Sequence, residues 1–282
     1  MVPGTIRHAL GVISHIDDVL DPRLGDYREL RDQAARRRIE GDEFFIAEGP
    51  VAIERLLASG HGIRSVLLSH QKHQRMAELF EHRDDVNVLV VDRALLHGLV
   101  GFDLHRGAIA SADRKPASTL AAIAHASHRI AVLEGLNDPE NLGAIARSAR
   151  ALGIDALVID PTCIDPYSRR TVRVSMGEIL FLPWCRVGNG EWPGAALSQL
   201  ADAGFTTWAM TPSPDSVDVW SLPVPDRVAV VLGAEGPGLS SATINGCQQQ
   251  ARIPIRPDVD SLNVGAASAV TFAIVTRPGP TC

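Results

Sequence analysis

This chain of 282 residues is poor in the features that mark several large functional classes. Its four cysteines, Cys163, Cys185, Cys247 and Cys282, form no Cys-x-x-Cys pair and no Cys/His array at zinc spacing. Neither a disulfide-stapled scaffold nor a zinc module is expected, and the thiols are read as free and reduced. His70 and His73 come nearest to a metal pair but have no third ligand beside them, so no metal is expected. No run approaches the roughly 18 apolar residues of a membrane span, and the stretch from Met1 to Asp17-Asp18 holds no apolar core of signal-peptide length. The expected location is the cytoplasm. No Gly-x-Gly-x-x-Gly follows the first strand of the second half, and there is no Gly-x-Ser-x-Gly elbow and no phosphate-binding loop. These absences argue against nicotinamide dehydrogenases, the common Rossmann-type methyltransferases, α/β-hydrolases and nucleotide triphosphatases.

A net basic charge is also missing. The formal charge is −6, against the footprint of a protein that holds nucleic acid by bulk charge. The first 127 residues carry 16 basic against 18 acidic side chains, and the remainder carries 11 against 15. Only Lys72 and Lys115 are lysines among the 27 basic residues, and the arginine forks that make up the rest suit phosphate oxygens. Arg28, Arg31, Arg36, Arg37 and Arg38 are the densest cluster. They fall in a helix-like stretch from Tyr27 to Glu40, which reads equally well as a solvated face balanced by Glu29, Asp32 and Glu40 or as an RNA-facing patch.

What is present is a chain of ordinary globular composition, 45% hydrophobic and 21% charged, long enough for about two domains. Residues 1–30 read as an N-terminal extension. Residues 31–111 form a small α/β module: Phe44–Ala47 as a strand, Pro50 opening a helix that Gly60 follows, strands at Ser65–Ser69 and Val86–Val91, and a helical stretch near Gln74–Phe80. Residues 112–128 read as a linker. From Arg129 onward short apolar strands (Ile130–Leu133, Ala156–Ile159, Thr206–Ala209, Val228–Leu232 and Arg252–Ile255) alternate with helix-like stretches at Glu140–Leu152 and Gly194–Ala203. Such alternation predicts a mostly parallel sheet covered on both faces, with ligands gathering at the carboxyl ends of its strands.

Three segments follow those strands: Asn141-Leu142-Gly143-Ala144-Ile145-Ala146-Arg147, Gly233-Ala234-Glu235-Gly236-Pro237-Gly238, and Ile253-Pro254 running on to Ser261-Leu262-Asn263. Together they resemble the three signature blocks of the SpoU/TrmH branch of the SPOUT RNA methyltransferases, over roughly residues 129–276. The resemblance implies an α/β SPOUT domain at 129–282 with a parallel sheet and a carboxyl-terminal trefoil knot. It also implies S-adenosylmethionine as cofactor, a ribosomal or transfer RNA as partner, 2'-O-methylation of a ribose as reaction, and a homodimer. Residues 31–111, with Phe44 to Gly49 and the later His105-Arg106-Gly107, look like the substrate-binding domain attached to many of these enzymes, itself similar to small ribosomal RNA-binding proteins. By the family pattern Gly233, Gly238, Ile253 and Leu262 hold the cofactor, and Arg147, Asn141, Glu235, Ser261 and Asn263 form the catalytic set. Arg36, Arg37, Arg38 and Arg173 are the expected RNA contacts, Arg173 because it precedes a Ser-x-Gly (Ser175-Met176-Gly177) that the family shares, though Arg173 reads equally well as an exposed salt-bridging arginine.

A guanidinium stays protonated, so Arg147 is expected to hold phosphate and nucleophilic oxygen, with Glu235, the only carboxylate in the three sets, as fallback proton acceptor. In-line alignment contributes up to roughly 7–11 kcal/mol, more than the 10²–10⁴-fold typical of a general base. One departure stands out: Gly265 occupies a place where the family commonly has serine, which keeps a non-catalytic RNA-binding protein of the same fold as the alternative.

Overall fold

The computed structural model describes residues 13–31, 38–101 and 107–277, and they divide into two compact units, Met1–Lys115 with Tyr167–Gly177, and Pro116–Pro166 with Glu178–Cys282. The expected partition at 112–128 differs from this in two places. The Ala-rich end of that stretch is a helix, α4 (Leu120–Ala126), capped by the Thr119 hydroxyl accepting the Ala122 N–H. It buries Ile123 and Ala124 in the core of the second unit. The other difference is Tyr167–Gly177, which lies within the second half in sequence but packs with the first unit.

The first unit is a mixed five-stranded sheet in the order β1-β4-β3-β5-β2. Its strands are β1 (Ile13–Ile16), β2 (Phe44–Glu48), β3 (Ile63–Ser69), β4 (Val88–Val91) and β5 (Ala108–Asp113). β1, β3 and β4 are parallel, and β5 runs antiparallel to both β2 and β3. Between them lie α1 (Pro50–Ala58), α2 (His70–Met76) and α3 (Arg93–Val100). The expected extension at 1–30 is, over its described part, structural. Ile16 in β1, then Leu24 and Tyr27 in a short 3-10 turn, are buried in the same apolar cluster as Phe44, Leu67 and Leu96. The Tyr27 hydroxyl, buried with them, reaches the Ser65 carbonyl at 2.9 Å, which removes the penalty of leaving a polar group unpaired in the core. Local turn chemistry at Asp21-Pro22 concealed this, since a polar turn reads the same whether or not its next apolar residues are buried.

Tyr167 anchors the returning segment in this unit. Its ring stacks on Phe45 at 4.7 Å between centroids, and its hydroxyl lies 3.2 Å from His61 Nε2. The short helix α6 (Arg169–Val174) follows, and both Arg169 and Arg173 reach the Glu48 carboxylate, Arg173 at 3.5 Å.

The second unit is a wholly parallel seven-stranded sheet in the order β10-β12-β9-β11-β6-β7-β8. Its strands are β6 (Arg129–Glu134), β7 (Ala156–Ile159), β8 (Trp184–Arg186), β9 (Thr206–Met210), β10 (Val217–Asp218), β11 (Val228–Gly233) and β12 (Gln249–Arg252). The central strands are buried on both faces, as parallel strands covered by helices must be. Side chains alternate: Ile130 and Val132 of β6 and Ala229 and Val231 of β11 meet α4 and α7 (Gly194–Asp202) on one face. On the other lie α5 (Pro139–Leu152) and α9 (Val264–Val275), which pack on each other, α9 also meeting β11. The strand expected at Arg252–Ile255 stops at Arg252, and residues 253–255 are loop. Among the described residues no helix is long and apolar enough to cross a membrane.

Candidate active site

The site begins with how α5 starts. Asp138 caps it by accepting the Glu140 N–H at 2.9 Å, Pro139 fits the first turn where its missing N–H costs nothing, and Gly153 ends it in the left-handed conformation. This setting puts Asn141 in the first turn, 7% exposed, facing the beginning of α9. There Asn263 caps α9, its Oδ1 accepting the Ala266 N–H at 3.1 Å, while its side-chain amide donates to Asn141 Oδ1 at 2.9 Å and to the Glu235 carboxylate. One side chain therefore joins all three signature segments. Asn263 suits the position because an amide offers a capping oxygen and two donors at once.

The loops after β9, β11 and β12 enclose a cavity of about 350 Å³ at the carboxyl ends of adjacent strands. This is the place and the size expected of a small-molecule site in a parallel sheet. Gly233, Gly238, Ile253 and Leu262, the four residues assigned to a cofactor, all line it, as do Glu235, Ser261 and Asn263 of the catalytic set. Met210, Thr211 and Pro212 after β9 line it too. Sequence reasoning passed over these three; their only signal is their place just beyond an apolar strand. From β12 the chain passes this cavity at residues 253–262 and then enters α9 on the α5 side, so the lining gathers segments far apart in sequence.

The glycines of the second segment have different reasons. A Cβ on Gly233 would stand 2.3 Å from the Gly238 carbonyl carbon and 2.4 Å from the Leu239 nitrogen, both backbone. What excludes a side chain here is the chain itself, folded back so that the Gly238 N–H donates to the Ala234 carbonyl at 3.0 Å. Gly236 (φ 84°) and Gly238 (φ 68°) carry the turn in the left-handed region and have no heavy atom within 4 Å of a would-be Cβ. Their main chain faces open space, with the apolar walls of Leu232, Ile253, Ile255 and Leu262 around it. An apolar pocket walled in part by glycine main chain, with polar groups at one rim, fits a flat heteroaromatic ring carried on a charged, polar tail.

Arg147 lies somewhat under two turns along α5 from Asn141, exposed, and its guanidinium has no partner among the described residues. It is not part of the cavity wall. Arg36 and Arg37 lie outside the described residues, Arg38 is exposed, and Arg173 is half-exposed and shares Glu48 with Arg169. Gly265 is buried where α9 meets α5. A Cβ there would stand 3.1 Å from both the Ala144 Cβ and the Asn263 Oδ1, so the absent serine leaves a close helix contact undisturbed.

Glu134, at the carboxyl end of β6, was also missed. It accepts from the Trp192 indole N–H, the Ser240 N–H and the Ser240 and Thr243 hydroxyls, at 2.8–2.9 Å. Cys163, Cys185 and Cys247 are free thiols; burial pushes them up to about 12, 12 and 11, far from reactive thiolates.

With this geometry in view, the comparisons decide the family. Residues 128–273 match the model of the SpoU rRNA Methylase family. An uncharacterized tRNA/rRNA methyltransferase of Mycobacterium tuberculosis is 37% identical over 95% of this chain and 93% of its own length. The chain belongs to the SpoU rRNA methylase family. Membership of this SpoU family was legible in the three segments and holds. Among solved structures, an RNA 2'-O ribose methyltransferase is similar at 27% identity, with a TM-score of 0.70 over 93% of this chain and 98% of that one. An AdoMet-bound rRNA methyltransferase from Sinorhizobium meliloti shares the fold at 24% identity, with a TM-score of 0.77 over 93% of this chain and 97% of that one. The parallel α/β fold expected of a SpoU enzyme is thus the fold observed.

Proposed function

We propose that this SpoU family protein methylates the 2'-hydroxyl of a ribose in ribosomal or transfer RNA, using S-adenosylmethionine. The observation that carries the reading is the Asn263 side chain, joining Asn141 and Glu235 at the rim of a glycine-walled cavity. Gly233, Gly238, Ile253 and Leu262 would hold the cofactor, largely through main chain and apolar contact. S-adenosylmethionine supplies an electrophilic methyl group. The chain's residues do the rest. Arg147, with no partner among the described residues, holds the phosphate next to the target ribose and stabilises negative charge developing on the attacking oxygen. The proton of the ribose hydroxyl would pass to the Glu235 carboxylate or to solvent. Asn141 and Asn263 keep Glu235 turned toward the rim, and Ser261 orients the ribose.

The carboxyl-terminal trefoil knot belongs to this reading, supported by the return of the chain from β12 past the cavity to α9. So does a homodimer in which the partner helps complete the site. The first unit serves as the RNA-binding domain, with Arg38 and Arg173 among its contacts and Arg36 and Arg37 beside them in sequence. A non-catalytic RNA-binding protein is the weaker reading, because the Asn141, Asn263 and Glu235 contacts are intact and Gly265 relieves a crowded helix contact.

The test is Arg147→Ala. Methyl transfer to RNA from cells lacking the protein should be lost, while calorimetry shows S-adenosylmethionine bound with near-normal affinity. Unchanged turnover would refute the role given to Arg147, and a wild-type chain that does not bind the cofactor would refute the function.

A further inference from the structure

We infer that Glu134 is a positioning residue that holds the loop after β11 in its cofactor-receiving shape before the cofactor arrives; this rests on the function proposed above. Glu134 sits in register beside Gly233, across the β6–β11 pair. It does not line the cavity, whereas Glu235, Gly236 and Gly238 of the neighbouring loop do. That loop closes on itself through the Ala234–Gly238 bridge and reaches Ser240, whose hydroxyl caps α8 (Ser241–Gly246) by accepting the Thr243 N–H at 3.2 Å. Glu134 grips this end from behind. Its Oε2 accepts the Ser240 backbone N–H at 2.9 Å, and its Oε1 takes the Ser240 hydroxyl at 2.9 Å, the Thr243 hydroxyl at 2.8 Å and the Trp192 indole N–H at 2.9 Å.

Four donors converge on one side chain, and only a carboxylate accepts on both oxygens. Glutamine is nearly isosteric but cannot reproduce the pattern. With its oxygen toward Trp192, its amide meets the Ser240 N–H, donor against donor. Turned over, the amide meets the indole N–H, also donor against donor. Hydroxyls can rotate to accommodate an amide, but neither N–H can. Each orientation thus breaks one hydrogen bond to a charged acceptor, the stronger class of such bonds. On the other side of the loop Glu235 is tied to Asn263. The loop is therefore pinned at both ends, with its glycine backbone presented to the cavity between them. A loop ordered in advance spares the ligand the entropy of ordering it, so loosening one pin appears as weaker binding more than as altered chemistry.

The experiment titrates S-adenosylmethionine into the full-length wild type, Glu134→Gln, Ser240→Ala and Thr243→Val by calorimetry. Amide hydrogen exchange over residues 234–243 and over β6 is followed in parallel. Glu134→Gln should weaken binding about tenfold, equivalent to 1.4 kcal/mol. It should speed exchange in the loop without changing β6, and saturating cofactor should restore loop protection. Thr243→Val removes one side-chain donor, and Ser240→Ala removes one donor together with the cap of α8; Thr243→Val should weaken binding by a smaller factor and carries the test if Glu134→Gln does not fold. Affinities within twofold of wild type in the folded variants, or loss of protection spread over β6 as well as the loop, would overturn the inference while leaving the proposed function in place. A wild-type chain that binds no S-adenosylmethionine would overturn both.

Discussion

Adding one methyl group at Gly233 tests the account of this site most directly, because the structure says what that methyl meets. The Cβ of Gly233→Ala would lie 2.3 Å from the Gly238 carbonyl carbon, 2.4 Å from the Leu239 nitrogen and 2.5 Å from the Gly238 oxygen. Non-bonded carbons rest at about 3.5 Å, so the backbone at 238–239 must move by roughly 1 Å. No rotamer change relieves a clash with main chain. The movement strains the Gly238–Ala234 hydrogen bond and the grip of Glu134 on Ser240, one neutral and one charged bond with net worths of about 1 and 1.5–3 kcal/mol. Overpacking itself typically costs 1–3 kcal/mol. Because these costs overlap, about 3 kcal/mol is expected in total, a fall in Tm of roughly 6–12 °C.

Gly236→Ala is the internal control. It meets nothing within 4 Å but must hold φ at 84°, a cost of about 1–2 kcal/mol. Urea unfolding and thermal scans should therefore rank Gly233→Ala well below Gly236→Ala, with cofactor affinity falling in the same order. If Gly233→Ala proves no less stable than Gly236→Ala, the reasoning about why the loop carries its first glycine is wrong.

Asn263→Asp separates two roles of one side chain. The carboxylate still caps α9, so stability should change by less than about 1 kcal/mol, but it confronts Glu235 and loses the donors, so methyl transfer should drop at least about tenfold; full activity would dismiss the tie between the three segments. His61 gives a pH prediction. Burial, and then the nearby Lys115 charge, lower it from 6.5 to about 4. Between those values the unfolded chain binds a proton that the folded chain refuses, so stability is fully present above pH 6.5 and declines as pH falls toward 4, by up to roughly 3 kcal/mol. His61→Gln should flatten that part of the stability profile, and an unchanged slope would show that other groups control it.

The alternation of short apolar runs with capped helices determined the class of the second unit. The central strands β6, β7 and β11 are covered on both faces, and a parallel sheet between helix layers does that for apolar runs of this length. The helix expected at Glu140–Leu152 and found at Pro139–Leu152 was equally plain, since Asp138, Pro139 and Gly153 act within a turn of where they stand. Asn141, Glu235 and Asn263 were also named from the chain alone, through the segments that carry them. Their meeting was not. Two residues 122 positions apart share a hydrogen bond because α9 lies on α5, and no local pattern encodes which helices share a face.

The same limit hid Glu134, whose four donor groups come from three residues in two distant stretches, Trp192 in one and Ser240 with Thr243 in the other. It also hid Leu24 and Tyr27, core residues inside what reads as an extension, and Tyr167–Gly177, which packs with the first unit despite its place in the second half. Local chemistry fixes where elements start and stop because caps, turns and periodicity act over a few residues. Which surfaces those elements bury against one another depends on contacts across the whole chain, and that was decided only in the folded molecule.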